Sequence, residues 1–308
     1  MSPSSAPLPP RGGTVALVGR PNAGKSTLMN RLLGEKVAIV SDKPQTTRQR
    51  LVGILSAERG QMVFYDTPGI HRPLHRLNRQ MVRHALDAMH DADVVCVLVD
   101  ILEGFGSGDR YLLDLLAKVE ALKVLAINKI DRVKKSHLLP RIAAYAETGQ
   151  FAEIVPLSAL TGDGCDRLLA VLWKALPEGP PLFDPGLLTI HPERFLVAER
   201  IREKILERTR EEIPFASAVV IERWEEEEGR GLVKIYAAIL VERPGQKKIL
   251  VGKAGQQIKS IGTAARLDLE TFLGKKVYLD LQVRLEPGWR EDRGLLATLD
   301  RDVDVDFG

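Results

Sequence analysis

The chain has 308 residues, 44% of them hydrophobic, and 44 Lys and Arg against 41 Asp and Glu give a net charge of +3. That length exceeds what one core usually serves and calls for two domains, while the near-balanced charge excludes a wholly cationic nucleic-acid binder and leaves any basic surface local. No apolar run reaches membrane-span length, and two cysteines, Cys96 and Cys165, exclude a disulfide framework and fit a cytoplasmic protein.

Residues 1–12, rich in Ser and Pro, read as a disordered tail without the apolar segment of a signal peptide. Thr14 to Val18 reads as a buried strand. It runs into Gly19-Arg20-Pro21-Asn22-Ala23-Gly24-Lys25-Ser26, and then Thr27 opens a helix whose leucines keep helical spacing up to Gly34. Strand, glycine loop and helix are the context that makes G-x-x-x-x-G-K-[S/T] a phosphate site. The glycines let backbone N–H groups converge on an anion, and the helix N-terminus adds partial positive charge. Lys25 then reaches the β- and γ-phosphates, and the Ser26 hydroxyl ligates magnesium.

Glu35 to Arg50 is polar, broken by Pro44 and without a helical or strand period, as expected of a switch loop ordered by γ-phosphate and magnesium. Within Gln45-Thr46-Thr47-Arg48, Thr47 is the expected metal ligand and Thr46 the alternative. Leu51 to Ser56 and Gln61 to Tyr65 alternate around Glu58-Arg59-Gly60 as an antiparallel hairpin. The second strand enters Asp66-Thr67-Pro68-Gly69. There Asp66 can hold magnesium through water and the Gly69 N–H can bond the γ-phosphate, so a second switch follows. Lys25, Thr47 and Gly69 are the catalytic candidates. Ile70 stands where many GTPases place a water-orienting glutamine, and it has no donor or acceptor. Slow intrinsic hydrolysis is expected unless another group or a partner arranges the water; His71 is given no role.

Helix 74–89, strand 93–100, helix 107–116 and strand 124–128 continue the alternation of an α/β fold, a mostly parallel sheet with helices on both faces. The last strand ends in Asn128-Lys129-Ile130-Asp131. The Asp131 carboxylate can accept the N1–H and N2–H₂ edge of guanine, whereas adenine would leave it unpaired. Sites built on such bonds reject analogues lacking them by about 10⁴ to 10⁵. Asn128 ties neighbouring loops together, and the Lys129 stem packs on the base face. A strand over 153–157 meets Ser158-Ala159-Leu160, whose backbone can contact guanine O6. Residues 13–176 are therefore a guanine-nucleotide domain.

Leu176 to Gly186 carries four prolines and two glycines, so residues 177–190 read as a semi-rigid linker. Residues 195–210 form an amphipathic helix with Phe195, Ala198, Ile201, Ile205 and Leu206 on one stripe. Strands 215–224 and 232–241 flank a solvated glutamate turn, 225–231. Ile249 to Val251 reads as an apolar strand leading into Gly252-Lys253-Ala254-Gly255, followed by helix 256–273 and strand 277–283. The order is α-β-β-α-α-β. A G-x-x-G loop carrying Lys253, with Lys247, Lys248 and Lys259 nearby, can close on phosphates of about four single-stranded nucleotides, as a KH module does. An apolar groove of Ile249, Val251, Ile258 and Ile261 would receive the bases. The module spans 191–290, and 291–308 reads as an acidic tail.

These motifs, with the late Gly288-Trp289-Arg290, resemble the Era family of ribosome-associated GTPases, and the likeness covers nearly the whole chain. The resemblance implies a P-loop GTPase domain followed by a type II KH domain, with GTP/GDP and Mg2+ as cofactors. It implies binding to the 3′ end of small-subunit (16S) rRNA, a role in assembly of the 30S ribosomal subunit, and loose peripheral association with the inner face of the membrane. The chain is read as a monomer. Asn22 resembles the subset of GTPases assisted by K+, in which its side-chain oxygen and switch carbonyls would hold the ion where an arginine finger otherwise sits. Two readings stay open beside this one: a GTPase acting on tRNA or large-subunit rRNA, and a non-hydrolysing RNA-binding adaptor with structural GTP.

Overall fold

The computed structural model describes residues 9–71, 76–227, 229 and 231–301. Residues 1–8 of the tail expected over 1–12, the helix start at 74–75, part of the glutamate turn and the end of the acidic tail lie outside them. The expected end of the N-terminal tail is corrected, because Arg11 and Gly12 already belong to the first strand, paired with Gly60 and Gln61. The described chain divides into two compact units, one of residues 9–38, 47–71 and 79–190, the other of 39–46, 76–78 and 191–301.

In the first unit the order is β1 (Arg11–Gly19), α1 (Lys25–Leu33), β2 (Leu51–Ala57), β3 (Gly60–Asp66), α2 (Arg76–Asp91, from residue 79 on), β4 (Val94–Asp100), α3 (Ser107–Leu116), β5 (Leu122–Asn128), α4 (Leu138–Ala146), β6 (Glu153–Pro156) and α5 (Cys165–Ala175). The sheet runs β2-β3-β1-β4-β5-β6, parallel throughout except for the antiparallel β2-β3 pair. Strand β4 is buried along Val94-Val-Cys-Val-Leu-Val99 because helices cover both faces, which is why the sequence there is continuously apolar rather than alternating. Strand order reverses beside β1, so loops leaving the carboxyl ends of β1, β3, β4 and β5 gather at one crevice.

The segment expected as a linker is part of this unit. Gly179 N–H donates to Pro10 O at 3.0 Å, and Ile54 N–H on β2 donates to Leu188 O at 2.8 Å. The wholly buried Gln61 accepts the Leu182 and Phe183 N–H groups through Oε1 at 2.8 and 2.7 Å and donates from Nε2 to Phe183 O at 2.9 Å. Residues 182–189 thus cover the exposed edge of β2, a strand that would otherwise offer unpaired backbone groups. The prolines excluded helix and strand correctly, but a polar side chain 121 residues before Leu182 decides where the segment lies.

The second unit contains α6 (Glu193–Arg208), α7 (Ile213–Ala216), β7 (Ser217–Glu227), β8 (Leu232–Val241), α8 (Pro244–Val251), α9 (Gln256–Leu273), β9 (Lys276–Leu285) and α10 (Arg293–Arg301). Its sheet runs β7-β8-β9, with β7 antiparallel and β9 parallel to β8. Val197, Ile201 and Ile205 of α6 and Ile261, Ala265 and Leu269 of α9 pack on it. Trp289 is buried and donates from Nε1 to Ala216 O at 3.1 Å, and Arg290 Nε donates to Glu242 Oε2 at 2.9 Å, so the late Gly-Trp-Arg stretch pins the chain after β9.

Four expectations are corrected here. Ile249 to Val251 is the last turn of α8, not a strand. Pro244 presets the first turn, Gln246 Oε1 accepts the N–H groups of Glu242 and Arg243 at 3.0 Å each, and only Leu250 of the three is buried. Glu225 to Glu227 extend β7 rather than forming the turn, and Glu226 pairs with Lys275 at 2.8 Å. The span given to an acidic tail contains α10, with Leu296 buried. Finally, α6 buries charge as well as its apolar stripe. Arg200 pairs with Asp268 at 3.1 Å and lies 4.1 Å from the Phe272 ring centroid, while Lys204 reaches Glu203 and Glu207 at 3.0 and 2.9 Å. Glu203 also accepts the Val40 N–H, from the 39–46 segment of the same unit, at 2.9 Å. Buried charges persist only when paired in this way.

Candidate functional site

The phosphate loop joins β1 to α1 and is shaped by its glycines at two close approaches. A Cβ on Gly19 would lie 2.3 Å from Leu98 O, and one on Gly24, whose φ is +96°, would lie 2.3 Å from Asn128 Nδ2. Lys25 is only 6% exposed, and its ammonium donates to Gly19 O at 3.4 Å and Arg20 O at 3.1 Å. Burial pushes its pKa down to about 8, partly opposed by the nearby Asp66 carboxylate. The Arg20 side chain turns to Glu103 and Asp109, at 2.7 and 3.4 Å, so its contribution to the loop is its backbone. Asn22 is exposed with a φ of +63°. Pro21, Ala23 and Thr27 complete the loop and its first turn.

Three side chains expected around a magnesium ion meet. Ser26 Oγ donates to Asp66 Oδ2 at 2.6 Å, Thr47 Oγ1 lies 2.9 Å from Ser26 Oγ, and Thr47 donates to the same Asp66 oxygen at 3.2 Å. Thr46 instead donates to Lys43 O at 2.6 Å, which leaves Thr47 as the threonine of the pair that reaches the cluster. Burial raises the Asp66 pKa against the opposing pull of Lys25, Ser26 and Thr47, and its Oδ1 is buried without a hydrogen-bond partner among the described residues. Two hydroxyls and a carboxylate with an orphan oxygen are hard donors of the kind magnesium takes, so the residues fit the ion.

After β3, Thr67 Oγ1 donates to Leu17 O at 2.8 Å, Pro68 is buried, and a Cβ on Gly69 would sit 2.7 Å from Pro21 Cα. Only glycine lets this loop lie so close to the phosphate loop. Ile70 is 3% exposed within the hydrophobic core, and its N–H donates to Gly19 O at 3.0 Å. Its side chain is structural. Both ring nitrogens of His71 are buried with no hydrogen-bond partner among the described residues.

The base-side loops are organised by Asn128. Its Nδ2 donates to Ala23 O at 2.8 Å, and its Oδ1 accepts the N–H of Lys129 at 2.7 Å and of Ala159 at 2.9 Å. One amide therefore ties the phosphate loop, its own loop and the Ser158-Ala159-Leu160 loop together, as the sequence led us to expect. Ser158 and Ala159 are buried, Leu160 is 69% exposed, and Asp131 stands exposed in a short 3₁₀ turn. Two contributors escaped the sequence reading. Arg31 on α1 donates from Nε to Ala159 O at 3.3 Å and from its guanidinium to Leu160 O, steadying that loop from below. Asp100 pairs with Lys129 at 2.6 Å. Neither belongs to a motif, and both act across separations no spacing rule covers.

In the second unit, α8 and α9 are joined by Gly252-Lys253-Ala254-Gly255. Gly252 has φ 73° and ψ 179°, a conformation open essentially to glycine alone, and a Cβ there would lie 2.6 Å from Gln257 Cβ. Ala254 and Gly255 have φ of 49° and 76°. Lys247, Lys248, Lys253 and Lys259 are all exposed, and among the described residues none pairs with a carboxylate. Ile258 is half-buried and Ile249 is 49% exposed, but Ile261 is fully buried in the core, so it is withdrawn from the expected base groove.

A P-loop GTPase domain followed by a KH domain is the class that this fold and these loops define. Family models agree: one described as 50S ribosome-binding GTPase matches residues 14–129, and one described as KH domain matches 212–290. The chain is 50% identical to GTPase Era of Geobacter metallireducens over 94% of its own length and 98% of the relative's, and 48% identical to GTPase Era of Lacticaseibacillus paracasei over 93% and 95%. The chain belongs to the Era family of GTPases. Two solved structures agree with its fold. A crystal structure of Era with MgGDPNP and nucleotides 1506–1542 of 16S ribosomal RNA superposes with TM-score 0.91 at 39% identity. One of a single-residue variant of Aquifex aeolicus Era bound to GDP.AlF4- gives 0.90 at 38%; both matches cover 94% of this chain and 98% of the other.

Proposed function

We propose that this protein is a GTP-hydrolysing switch that binds the 3′ end of small-subunit rRNA through its KH domain and assists assembly of the 30S subunit. The observation that carries the GTPase reading is the meeting of Ser26, Thr47 and Asp66 beside the buried Lys25. When bound there, magnesium supplies charge neutralisation at the β- and γ-phosphates. Lys25 adds a positive charge already desolvated, and the Gly69 N–H donates to the γ-phosphate. Asp131 reads the guanine edge while the Ser158-Ala159-Leu160 backbone meets O6. Because Ile70 is core, water placement falls to another group, and Asn22 with a potassium ion is the candidate. Turnover in potassium is expected to exceed that in sodium, and an Asn22→Ala variant should lose the difference; equal rates in the two salts would remove the ion.

For the RNA half, Gly252-Lys253-Ala254-Gly255 with Lys247, Lys248 and Lys259 supports a phosphate clamp, with Ile258 and Ile249 at its apolar side. The choice of RNA follows the second half of the chain. The model whose description names the 50S subunit covers residues 14–129 only, whereas the Era structure holding 16S nucleotides matches across both units. Among the described residues no helix is long and apolar enough to cross a membrane. Crosslinking and sequencing of bound RNA, with a non-hydrolysable GTP analogue against GDP, tests the proposal. Enrichment of the 16S 3′ end is the expected outcome, and enrichment of tRNA or large-subunit rRNA instead would overturn the choice of substrate.

A further inference from the structure

Lys129 owes its direction to a residue outside every nucleotide motif. Asp100 closes β4 in register with Asn128 at the end of β5. Its carboxylate is held at both oxygens. Oδ1 accepts the Leu102 N–H at 2.9 Å, and Oδ2 accepts the Lys129 ammonium at 2.6 Å. The surrounding turn is closed by Ile101 N–H to Asn128 O and Glu103 N–H to Asp100 O, each at 3.1 Å. The side chains are 10% and 25% exposed, and Lys129 has a φ of +66°, an uncommon backbone conformation for a residue with a Cβ. An ion pair on open surface is worth little because water screens it and two long side chains must be ordered. Here the acceptor is short, shielded and already fixed by the turn, so only the lysine is ordered.

We infer that Asp100 is a positioning residue for guanine-nucleotide binding: it anchors the far end of Lys129 so that the methylene stem is preset as a flat apolar face for the purine. The inference rests on the reading that the Lys129 stem packs on the base. A free lysine stem samples many rotamers, and a base landing on it would have to order it; the anchor removes that step. The effect belongs to the face of the base, not its edge, so it does not depend on the guanine 2-amino group. Asp131 has the opposite dependence.

The test is competitive titration of a fluorescent GDP by GDP and by IDP, on the full chain. Asp100→Ala and Asp100→Asn are each expected to weaken both nucleotides by the same factor, roughly two- to tenfold for one long side chain that must be ordered on binding. Asp100→Ala should weaken neither further in a Lys129→Ala background. Wild-type affinity in Asp100→Asn, which keeps an acceptor for the Leu102 N–H, would show that the aspartate only shapes the turn and would overturn the inference. An undiminished Asp100→Ala loss in the Lys129→Ala background would overturn it too. Wild-type GDP affinity in Lys129→Ala alone would instead discard the base-face reading underneath, a result distinguishable from the other two.

Discussion

Lys25 is where function and stability oppose each other most directly. In water its ammonium titrates at 10.5; in the fold, burial lowers that to about 8. Below pH 8 both states are protonated and the folded chain carries the whole desolvation penalty, about 3 kcal/mol at 1.36 kcal/mol per unit. Between pH 8 and 10.5 the unfolded chain binds more protons than the folded one, so stability rises with pH across that window. Lys25→Met keeps the stem's bulk and removes the charge. Without nucleotide it should unfold at higher urea than wild type at pH 7, by up to about 3 kcal/mol, with the gap narrowing towards pH 10. It should also lose GTP binding. A gap that does not change with pH would show that the ammonium is not the source. In the proposed function the penalty has a use: a phosphate bound at Lys25 would convert it into binding, a trade typical of sites that give up stability for function.

At the scale of elements, Gln61 is the test of how the chain after α5 is held. It satisfies two N–H groups and one carbonyl of residues 182–183, all through one buried amide. Gln61→Ala removes the side chain that holds those groups at a part-buried site. Each lost hydrogen bond costs about 0.5–1.5 kcal/mol, less whatever water recovers beside the half-exposed Leu182, so a loss of roughly 1–3 kcal/mol in urea unfolding is expected. A loss under about 0.5 kcal/mol would mean that the segment does not depend on Gln61. The clamp loop gives a second prediction. Gly252→Asp forces a side chain into the 2.6 Å approach to Gln257 and a negative charge towards the phosphates, so RNA binding should be abolished with GTP affinity intact. The milder Lys253→Ala should lower the slope of log K against log salt by about 0.7, one single-strand phosphate contact. Equal RNA affinity in Gly252→Asp, or an unchanged slope in Lys253→Ala, would remove the loop from the interface.

What the sequence made legible at this scale follows from chemistry. The loops at 19–26, 66–69, 128–131 and 252–255 could be read because phosphate, metal and guanine each demand fixed residue types at fixed spacing, and strands β1, β4 and β5 because two-faced burial leaves continuous apolar runs. Asp100, Arg31 and Gln61 could not, since their partners lie 29, 128 and 121 residues away. A three-residue apolar run before Gly252 carries no period at all, so nothing in it separates the last turn of α8 from a strand. Helices α4 and α5 do not stand out because the motifs of that region lie in the loops before them.

For the whole molecule, the proposed switch implies a number that can be measured from two directions. A ligand moves a two-state equilibrium only by its differential affinity for the two states. If a GTP analogue raises RNA affinity over that of the GDP form by some factor, RNA must raise the preference for the analogue over GDP by the same factor. Couplings of this kind are typically about 5–150-fold. The measurement is RNA affinity in the presence of saturating analogue and of saturating GDP, and then nucleotide affinity with and without a saturating 16S 3′-end oligonucleotide. We expect the two factors to agree and to exceed about five. The loops proposed to bind the two ligands have a geometry preset inside each unit, by Asn128 in one and by Gly252 and Gly255 in the other. Binding alone therefore requires no coupling, and a factor of one in both directions would leave a GTPase and an RNA clamp that share a chain without a switch between them. The Asp100→Ala variant sharpens the experiment. It weakens analogue and GDP alike at the base, far from the γ-phosphate, so it should shift both nucleotide affinities and leave the coupling factor unchanged.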